Sequence, residues 1–229
     1  LEADPDFFAT LENNQAFRVT DTAANLGSSN AQLTLATALV ATTPATVEEG
    51  AAMLATAVGI TTYSLEDTAE NLAAAGATMD AAVNIEATTA ATTTEATAIV
   101  DATNSGENTF DIEDTAANAQ TNIADFADWN GAGTITISGT IDDTADADII
   151  LALAGPSLIT LTSVSGTTAE VTVTIDLQDA TRVVGSYALD AGETITVEQH
   201  AAITAVATLA AYDLLDTAEN LAAASSVVS

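Results

Sequence analysis

The sequence has no cysteine and no lysine, and its only strong bases are Arg18 and Arg182. They stand against 33 acidic residues, which gives a formal net charge of -31 at pH 7. Nucleic-acid affinity comes from lysine and arginine side chains that neutralise phosphates, so a nucleic-acid partner is excluded. Lysine Schiff bases and isopeptide cross-links are excluded because the chain has no lysine side-chain amine. Disulfides and thiolate metal sites are excluded for want of cysteine.

Aromatic residues make up only 4% of the chain, and long apolar runs are missing. The longest apolar segment, residues 149–154, is far shorter than the roughly 18 residues that span a bilayer, so we expect no membrane span. The chain should nevertheless fold, because 48% of its residues are hydrophobic and only 15% are charged. The frequent alanines and threonines bury little area each, which predicts thin, closely packed layers.

A hexapeptide motif, Asp-Thr-Ala-(Glu/Ala)-Asn-Leu, recurs along the chain. It occupies residues 21–26, 67–72 and 216–221, with variants at 114–119 and 143–147. The intervals from residue 21 to 67 and from 67 to 114 are 46 and 47 residues. An aromatic residue two positions from an aliphatic one precedes the main motifs, at 17–19, 63–65, 110–112 and 212–214. This alternation predicts short strands with one buried face.

Capping-box sequences recur upstream of the motifs, at residues 46–49, 92–95 and 196–199. The first of them predicts a helix that Gly59 ends. Val47, Ala51, Leu54 and Val58 are spaced to lie on one side of this helix, and we expect that side to be buried.

The hexapeptide is itself a capping box. It predicts that Asp67 caps a short helix that runs through Ala75 and closes at Gly76. The equivalent capping aspartates are Asp21, Asp114, Asp143 and Asp216.

These elements predict an α/β fold, an elongated solenoid-like repeat domain. Its unit of about 46 residues is strand, short helix, strand and longer helix, and neighbouring units must stack to bury both faces. Further strands are predicted at residues 32–40, 83–87 and 134–138, and a β-hairpin insertion at 158–163 and 170–175. We expect residues 1–229 to form a single domain with an N-terminal helix (1–16), units 17–62, 63–109, 110–136 and 137–211, and an incomplete unit 212–229. Two lobes split near 131–133 are the alternative.

The combination of an aromatic-x-aliphatic strand, the hexapeptide, an alanine-rich helix and a capped longer helix resembles a known family. It is similar to the Asp-Thr-Ala-Ala-Asn repeats of very large bacterial surface and secreted proteins. The resemblance is clear at residues 17–75, 92–119 and 194–222. It implies an adhesive or structural role and a secreted, extracellular or cell-surface location.

Catalytic groups are few in this sequence. His200 is the only histidine, and it occupies the place that Gly50 holds in the equivalent repeat, so we expect it to face solvent. The tyrosines Tyr63, Tyr187 and Tyr212 fall in strand-core positions, which leaves no aromatic platform for a sugar ring. We therefore predict no enzymatic activity.

Calcium is the cofactor that the carboxylates suit best, because it prefers oxygen ligands. Two clusters are candidate calcium sites: Asp142, Asp143, Asp146 and Asp148, and Asp111, Glu113 and Asp114. The alternative is that the motif aspartates only cap helices. Threonine faces can also bind ice, but the threonine spacing changes from unit to unit, and the sequence does not favour that function.

The acidity also predicts a medium rich in salt or calcium, because 31 uncompensated negative charges repel one another unless they are screened. We expect a non-enzymatic extracellular structural protein that polymerises with itself into a filament or surface lattice. Head-to-tail contacts would run through the incomplete terminal repeats. The assembly residues are Ser225, Ser226, Val227, Val228 and Ser229. The alternative is a calcium-stabilised adhesin module that binds a cell surface or glycan.

Overall fold

The computed structural model describes residues 17–28, 33–56, 59–210 and 212–224. The predicted N-terminal helix within 1–16, the helix position Val58 and the assembly segment 225–229 lie outside the described residues.

The chain divides into two compact units, Leu1–Phe110 and Asp111–Ser229. Both are α/β, with parallel strands joined through helices, so the predicted α/β class is confirmed. Residues 131–133 lie inside the second unit, where a 3-10 helix (Ile123–Gly131) leads directly into a strand.

The first unit has two groups of short parallel strands. β1 pairs with β2 and β2 with β3, while β4 pairs with β5 and β5 with the start of β6. Its elements are β1 (Arg18–Asp21), α1 (Ala23–Gly27), a 3-10 turn (Leu33–Leu35), β2 (Ala38–Ala41), α2 (Val47–Thr56), β3 (Ile60–Thr62), β4 (Leu65–Asp67), α3 (Ala69–Ala73), α4 (Ala77–Asp80), β5 (Ile85–Ala87) and α5 (Thr93–Val100).

The second unit is built on longer strands, and the unit boundary falls inside β6. β7 pairs with β8, β8 with β9 and β9 with β11, while β10 pairs with β12, all in parallel. Its elements are β6 (Asn108–Thr115), α6 (Ala116–Thr121), β7 (Ala132–Ile141), α7 (Thr144–Leu151), β8 (Leu158–Gly166), α8 (Thr168–Asp176), β9 (Arg182–Leu189), β10 (Thr194–Ile195), α9 (Val197–Val206), β11 (Thr208–Leu209), β12 (Asp213–Leu214) and α10 (Ala218–Ala223).

Paired strands follow one another at similar sequence intervals. Paired residues are between 19 positions apart, as in Thr194 with Asp213, and 24 apart, as in Thr134 with Leu158. Buried side chains alternate with more exposed ones in β6 and β8, most regularly in β6. In the second unit, α7 and α8 pack on β8. The buried side chains of β8 therefore face α7 and α8, and the side chains on its other face are exposed or half-buried.

The predicted β-hairpin insertion is wrong. Residues 158–163 begin β8, which lies in parallel between β7 and β9, and residues 170–175 lie in helix α8. The side chain of Thr167 accepts from the Glu170 backbone and Glu170 bonds back to Thr167, so a capping box starts this helix. Val171 and Thr174, three residues apart, then bury one helical face despite their β-branched side chains.

Several predicted element boundaries also shift. The helix α3 begins with Thr68 as its N-cap, one residue after Asp67, and ends at Ala73. In α2 the fully buried positions are Gly50 and Met53, whereas Ala51 is exposed. The strand predicted at 32–40 is a 3-10 turn followed by β2, which begins only at Ala38.

Candidate functional site

The aspartate of the repeated motif is a hydrogen-bond hub. In the first unit, Asp67 Oδ1 accepts from the Thr68 backbone N–H and from Asn71 Nδ2, both at 2.8 Å. Its second oxygen, Oδ2, accepts from the backbone N–H of Val47, 20 residues earlier, at 2.9 Å. Val47 is the first residue of α2. One carboxylate thus ties together the start of its own helix and the start of the preceding long helix.

The same arrangement recurs in the second unit. Asp216 Oδ1 accepts from Thr217 N and Asn220 Nδ2 at 2.7 Å, and Oδ2 accepts from the Val197 N–H at 3.1 Å. Hydrogen bonds from Asn220, Thr217 and Val197 hold the pKa of Asp216 below its ordinary value. At Asp67, burial opposes ionisation, but the three donors outweigh it and lower the pKa.

Other helix starts are capped in the same way by side chains 20 or 25 residues later in the chain. Ala23 N donates to Thr43 Oγ1 and Ala69 N donates to Thr89 Oγ1, each across 20 residues and at 3.0 Å. Thr168 N donates to Glu193 Oε2 at 2.8 Å. The first N–H groups of a helix have no partner inside it, so these bonds satisfy groups that would otherwise need water. Sequence reasoning missed this role, although the 46-residue interval between Thr43 and Thr89 was a usable signal.

The first predicted calcium cluster is split by strand alternation. Asp111 and Glu113 are exposed, whereas Asp114 points to the opposite, buried face of β6. Asp114 Oδ1 accepts from Thr115 N and Asn118 Nδ2, and Asp111 Oδ1 accepts from Thr134 N and Oγ1. The three carboxylates therefore do not converge.

The second predicted cluster lies around the start of α7. Asp143 is its N-cap and accepts from Ala145 N at 2.9 Å. Asp142 and Asp146 share the amide of Gln120, at 2.6 and 3.4 Å. Asp148 points elsewhere: burial, together with the nearby negative charge of Asp148, raises the pKa of Tyr187.

A different set of carboxylates shares one cavity. A space of about 280 Å³ lies at the carboxyl ends of β7, β8 and β9. Asp142, Asp143, Glu170 and Asp190 line it, and sequence reasoning missed the last two. Glu170 Oε2 is held by Thr167 N and Oγ1 at 2.9 and 2.7 Å. Among the residues that the structure describes, no group of three or more acidic or histidine side chains is placed to hold a metal ion.

His200 is buried, with 6% of its surface exposed, so the predicted solvent-facing position is wrong. Its Nε2 lies 2.7 Å from the hydroxyl of Tyr212, and the two ring centroids are 4.8 Å apart. The alignment with Gly50 misled because Gly50 is itself buried. A Cβ placed on Gly50 would lie 3.0 Å from the ring of Tyr63. This position takes glycine in the first unit because an aromatic ring fills the space.

Arg182 is also committed to the fold. Its Nη2 donates to Leu153 O at 2.6 Å and its Nε to Leu151 O at 3.2 Å. Leu151 ends α7, so the guanidinium satisfies carbonyls at the negative end of a helix.

None of the helices in the described part of the chain has the length and apolar character to cross a bilayer. Comparison with family models, with curated proteins and with solved structures gave no match.

Proposed function

We propose that this chain is a non-enzymatic structural protein of a salt-rich extracellular medium, built as an α/β solenoid. The observation that carries the proposal is that an aspartate later in the chain caps the start of a preceding helix. The Val47 N–H donates to Asp67, and the Val197 N–H donates to Asp216. In a solenoid each repeat contacts only its neighbours, so hydrogen bonds between successive repeats hold the stack together. The bonds to Asp67 and Asp216 have this role in the proposed architecture. Parallel register at intervals of 19 to 24 residues supports the same architecture.

The side chains that could take part in catalysis or binding are hydrogen-bonded within the fold, which supports a structural role. His200 is buried against Tyr212, Arg182 binds backbone carbonyls, and the carboxylates of Asp67 and Asp216 each accept three hydrogen bonds. Each of these groups forms hydrogen bonds that stabilise the fold. The resemblance to the repeats of large bacterial surface proteins supports the extracellular assignment.

Self-association is the second part of the proposal. A chain with a net charge of -31 repels its copies, and salt shortens the range of that repulsion to about 8 Å at physiological ionic strength. We expect the sedimentation coefficient of the full chain to rise with NaCl concentration and negative-stain images to show filaments or a lattice. A chain that stays monomeric across the NaCl series at high protein concentration overturns this part.

A calcium-stabilised binding module is the second candidate, and the cavity lined by Asp142, Asp143, Glu170 and Asp190 favours it. Its test is the melting temperature in CaCl2, in MgCl2 and in NaCl at matched ionic strength. A rise specific to calcium, lost in Asp190→Asn and kept in the control Asp176→Asn at the exposed end of α8, supports this candidate. An equal rise in all three salts means that screening alone acts.

A further inference from the structure

The short helix of the repeated motif is covered in the first unit and exposed at α10. The leucine that ends the hexapeptide, Leu26 in α1 and Leu72 in α3, is 0% exposed in both repeats. The equivalent Leu221 of α10 has 38% of its surface exposed, and no residue of this helix is buried. The same apolar side of one helix is therefore covered in two repeats and open in a third.

A longer helix supplies the cover in the first unit. α2 packs on α1 and α5 packs on α3, and each longer helix begins 24 residues after the motif helix that it covers. The helices approach closely at Gly27, where an added Cβ would lie 3.1 Å from the Cα of Glu49 in α2. In the described part of the chain no helix follows α10, so none there takes the place of α2 or α5.

The first residues of the sequence carry the pattern of such a longer helix. Phe7 stands ten residues before the aromatic residue Phe17, just as Met53 of α2 stands ten residues before Tyr63. In α9, Ile203 stands nine residues before its tyrosine. The Met53 and Ile203 side chains are buried, with 0% and 1% of their surfaces exposed. Phe7 therefore occupies a core position of the longer helix.

The predicted helix at residues 5–13 has an apolar side to bury. Asp4 and Pro5 are residue types of an N-cap and a first helical position, so this helix is predicted to begin one turn later than α2. Phe7 and Leu11 are four residues apart and share one side of it. The motif helices α1, α3 and α6 already bury their own apolar residues, which leaves α10 as the motif helix for it to cover.

We propose that residues 5–13 of one copy pack on the exposed side of α10 in a second copy. Such a contact rests on the proposed self-association of the chain and assigns it to two named surfaces. In the proposed solenoid each repeat contacts only its neighbours, so these two surfaces meet between copies. Because the surfaces differ, the contact is head-to-tail, and its repetition generates a filament or a closed ring.

Charge sets the condition under which this contact forms. Residues 1–13 contain four acidic residues and no base, and α10 carries Glu219. The two surfaces therefore repel each other at low ionic strength, and NaCl shortens the range of that repulsion. Burial of Phe7 and Leu221 against each other's helices then supplies the attraction.

The test is sedimentation velocity of the full chain at high NaCl concentration. Phe7→Asp and Leu221→Asp each place a charge in the contact and should each leave the chain monomeric. An equal mixture of the two variants should form dimers and nothing larger, because one intact pair of surfaces remains between them. Val173→Asp, at a residue of α8 that is 56% exposed, is the matched control and should assemble like the natural chain. Circular dichroism shows whether each variant is folded.

Assembly of either variant to the size of the natural chain overturns the contact and leaves the proposed self-association in place. A mixture that stays monomeric also overturns it, because the two surfaces then do not meet. An equal loss of assembly in Val173→Asp means that added charge alone prevents association. A natural chain that is monomeric at every NaCl concentration overturns the self-association and the contact together. If Phe7→Asp and Leu221→Asp then lower its melting temperature equally, residues 5–13 cover α10 of their own chain.

Discussion

The same position of the repeat carries glycine in the first unit and histidine in the second. In the first unit, Tyr63 is buried, lies against Gly50 and donates its hydroxyl to Thr78 O at 2.7 Å. Burial raises the pKa of this hydroxyl to about 12. In the second unit, Tyr212 is half-buried, and its hydroxyl lies within hydrogen-bond distance of His200 Nε2 instead.

The difference teaches that one backbone position supports two kinds of core. Tyr63 is deeply buried; its neighbour Gly50 has no side chain, and its hydroxyl donates to a backbone carbonyl. A tyrosine nearer the surface leaves space, and a histidine both fills that space and pairs with the hydroxyl. At these two positions the smaller residue, Gly50, goes with the more deeply buried ring.

The largest expected effect comes from removing the two aromatic rings. Tyr63→Ala should lower the free energy of unfolding by about 3–5 kcal/mol, the usual cost of truncating a buried aromatic side chain. Tyr212→Ala should cost clearly less, because that ring is only half-buried. Urea unfolding followed by circular dichroism measures both. Equal losses would contradict the difference in depth.

Exchanging the small and large neighbours is the next test. Gly50→His places a side chain where a Cβ alone would lie 3.0 Å from Tyr63, and overpacking of this kind costs about 1–3 kcal/mol. The counterpart, His200→Ala, empties the equivalent position and should cost less. If Gly50→His unfolds at the same urea concentration as the natural chain, the first unit is not close-packed here.

Removing Asp67 and removing Asp216 compares how much the same set of hydrogen bonds stabilises each unit. Asp67→Ala removes the acceptor for three N–H groups and should cost about 1–2 kcal/mol, as for other helix caps. Asp216→Ala should cost less, because this carboxylate lies nearer the solvent. The matched control is Glu66→Ala, an exposed strand position beside the hub, with an expected change within about 0.5 kcal/mol. A loss in Glu66→Ala as large as in Asp67→Ala would mean that only charge matters.

The smallest effect is expected in the pH dependence. The folded-state pKa of Asp67 lies below the ordinary aspartate value of 3.8, so its stabilisation is complete above pH 3.8 and is lost as pH falls through the folded-state pKa. Protonation of other acids relieves repulsion in the opposite direction. The informative quantity is therefore the stability difference between the natural chain and Asp67→Ala, which should shrink below pH 3.8. A difference that stays constant down to pH 2 contradicts the role of the ionised form.

Local signals made much of the fold predictable. The capping boxes at Thr92 and Thr196 form as expected, since a cap depends on residues within one turn. The α/β class followed from short amphipathic strands between capped helices. The sequence predicts a strand at residues 158–163 as half of a β-hairpin, but not the longer strand or its parallel partners, because pairing between distant strands leaves no mark on local periodicity.

The candidate site was less predictable for the same reason. Asp142 and Asp143 were identified as a possible calcium site, yet Glu170 and Asp190 reach the same cavity only because three strand ends meet there. Asp114 stands beside Glu113 in sequence and on the opposite face in space. Proximity along a strand is a poor guide to proximity of side chains, because their direction alternates.

The sequence by itself determined the helix starts, the alternation of the strands and the excess of negative charge, because each depends on near neighbours or on composition alone. Tertiary structure decided which aspartate caps a preceding helix, how deep each repeated tyrosine lies and which carboxylates share a cavity. These features depend on strand register and on the lengths of the connections, which fix distances between residues some 20 positions apart.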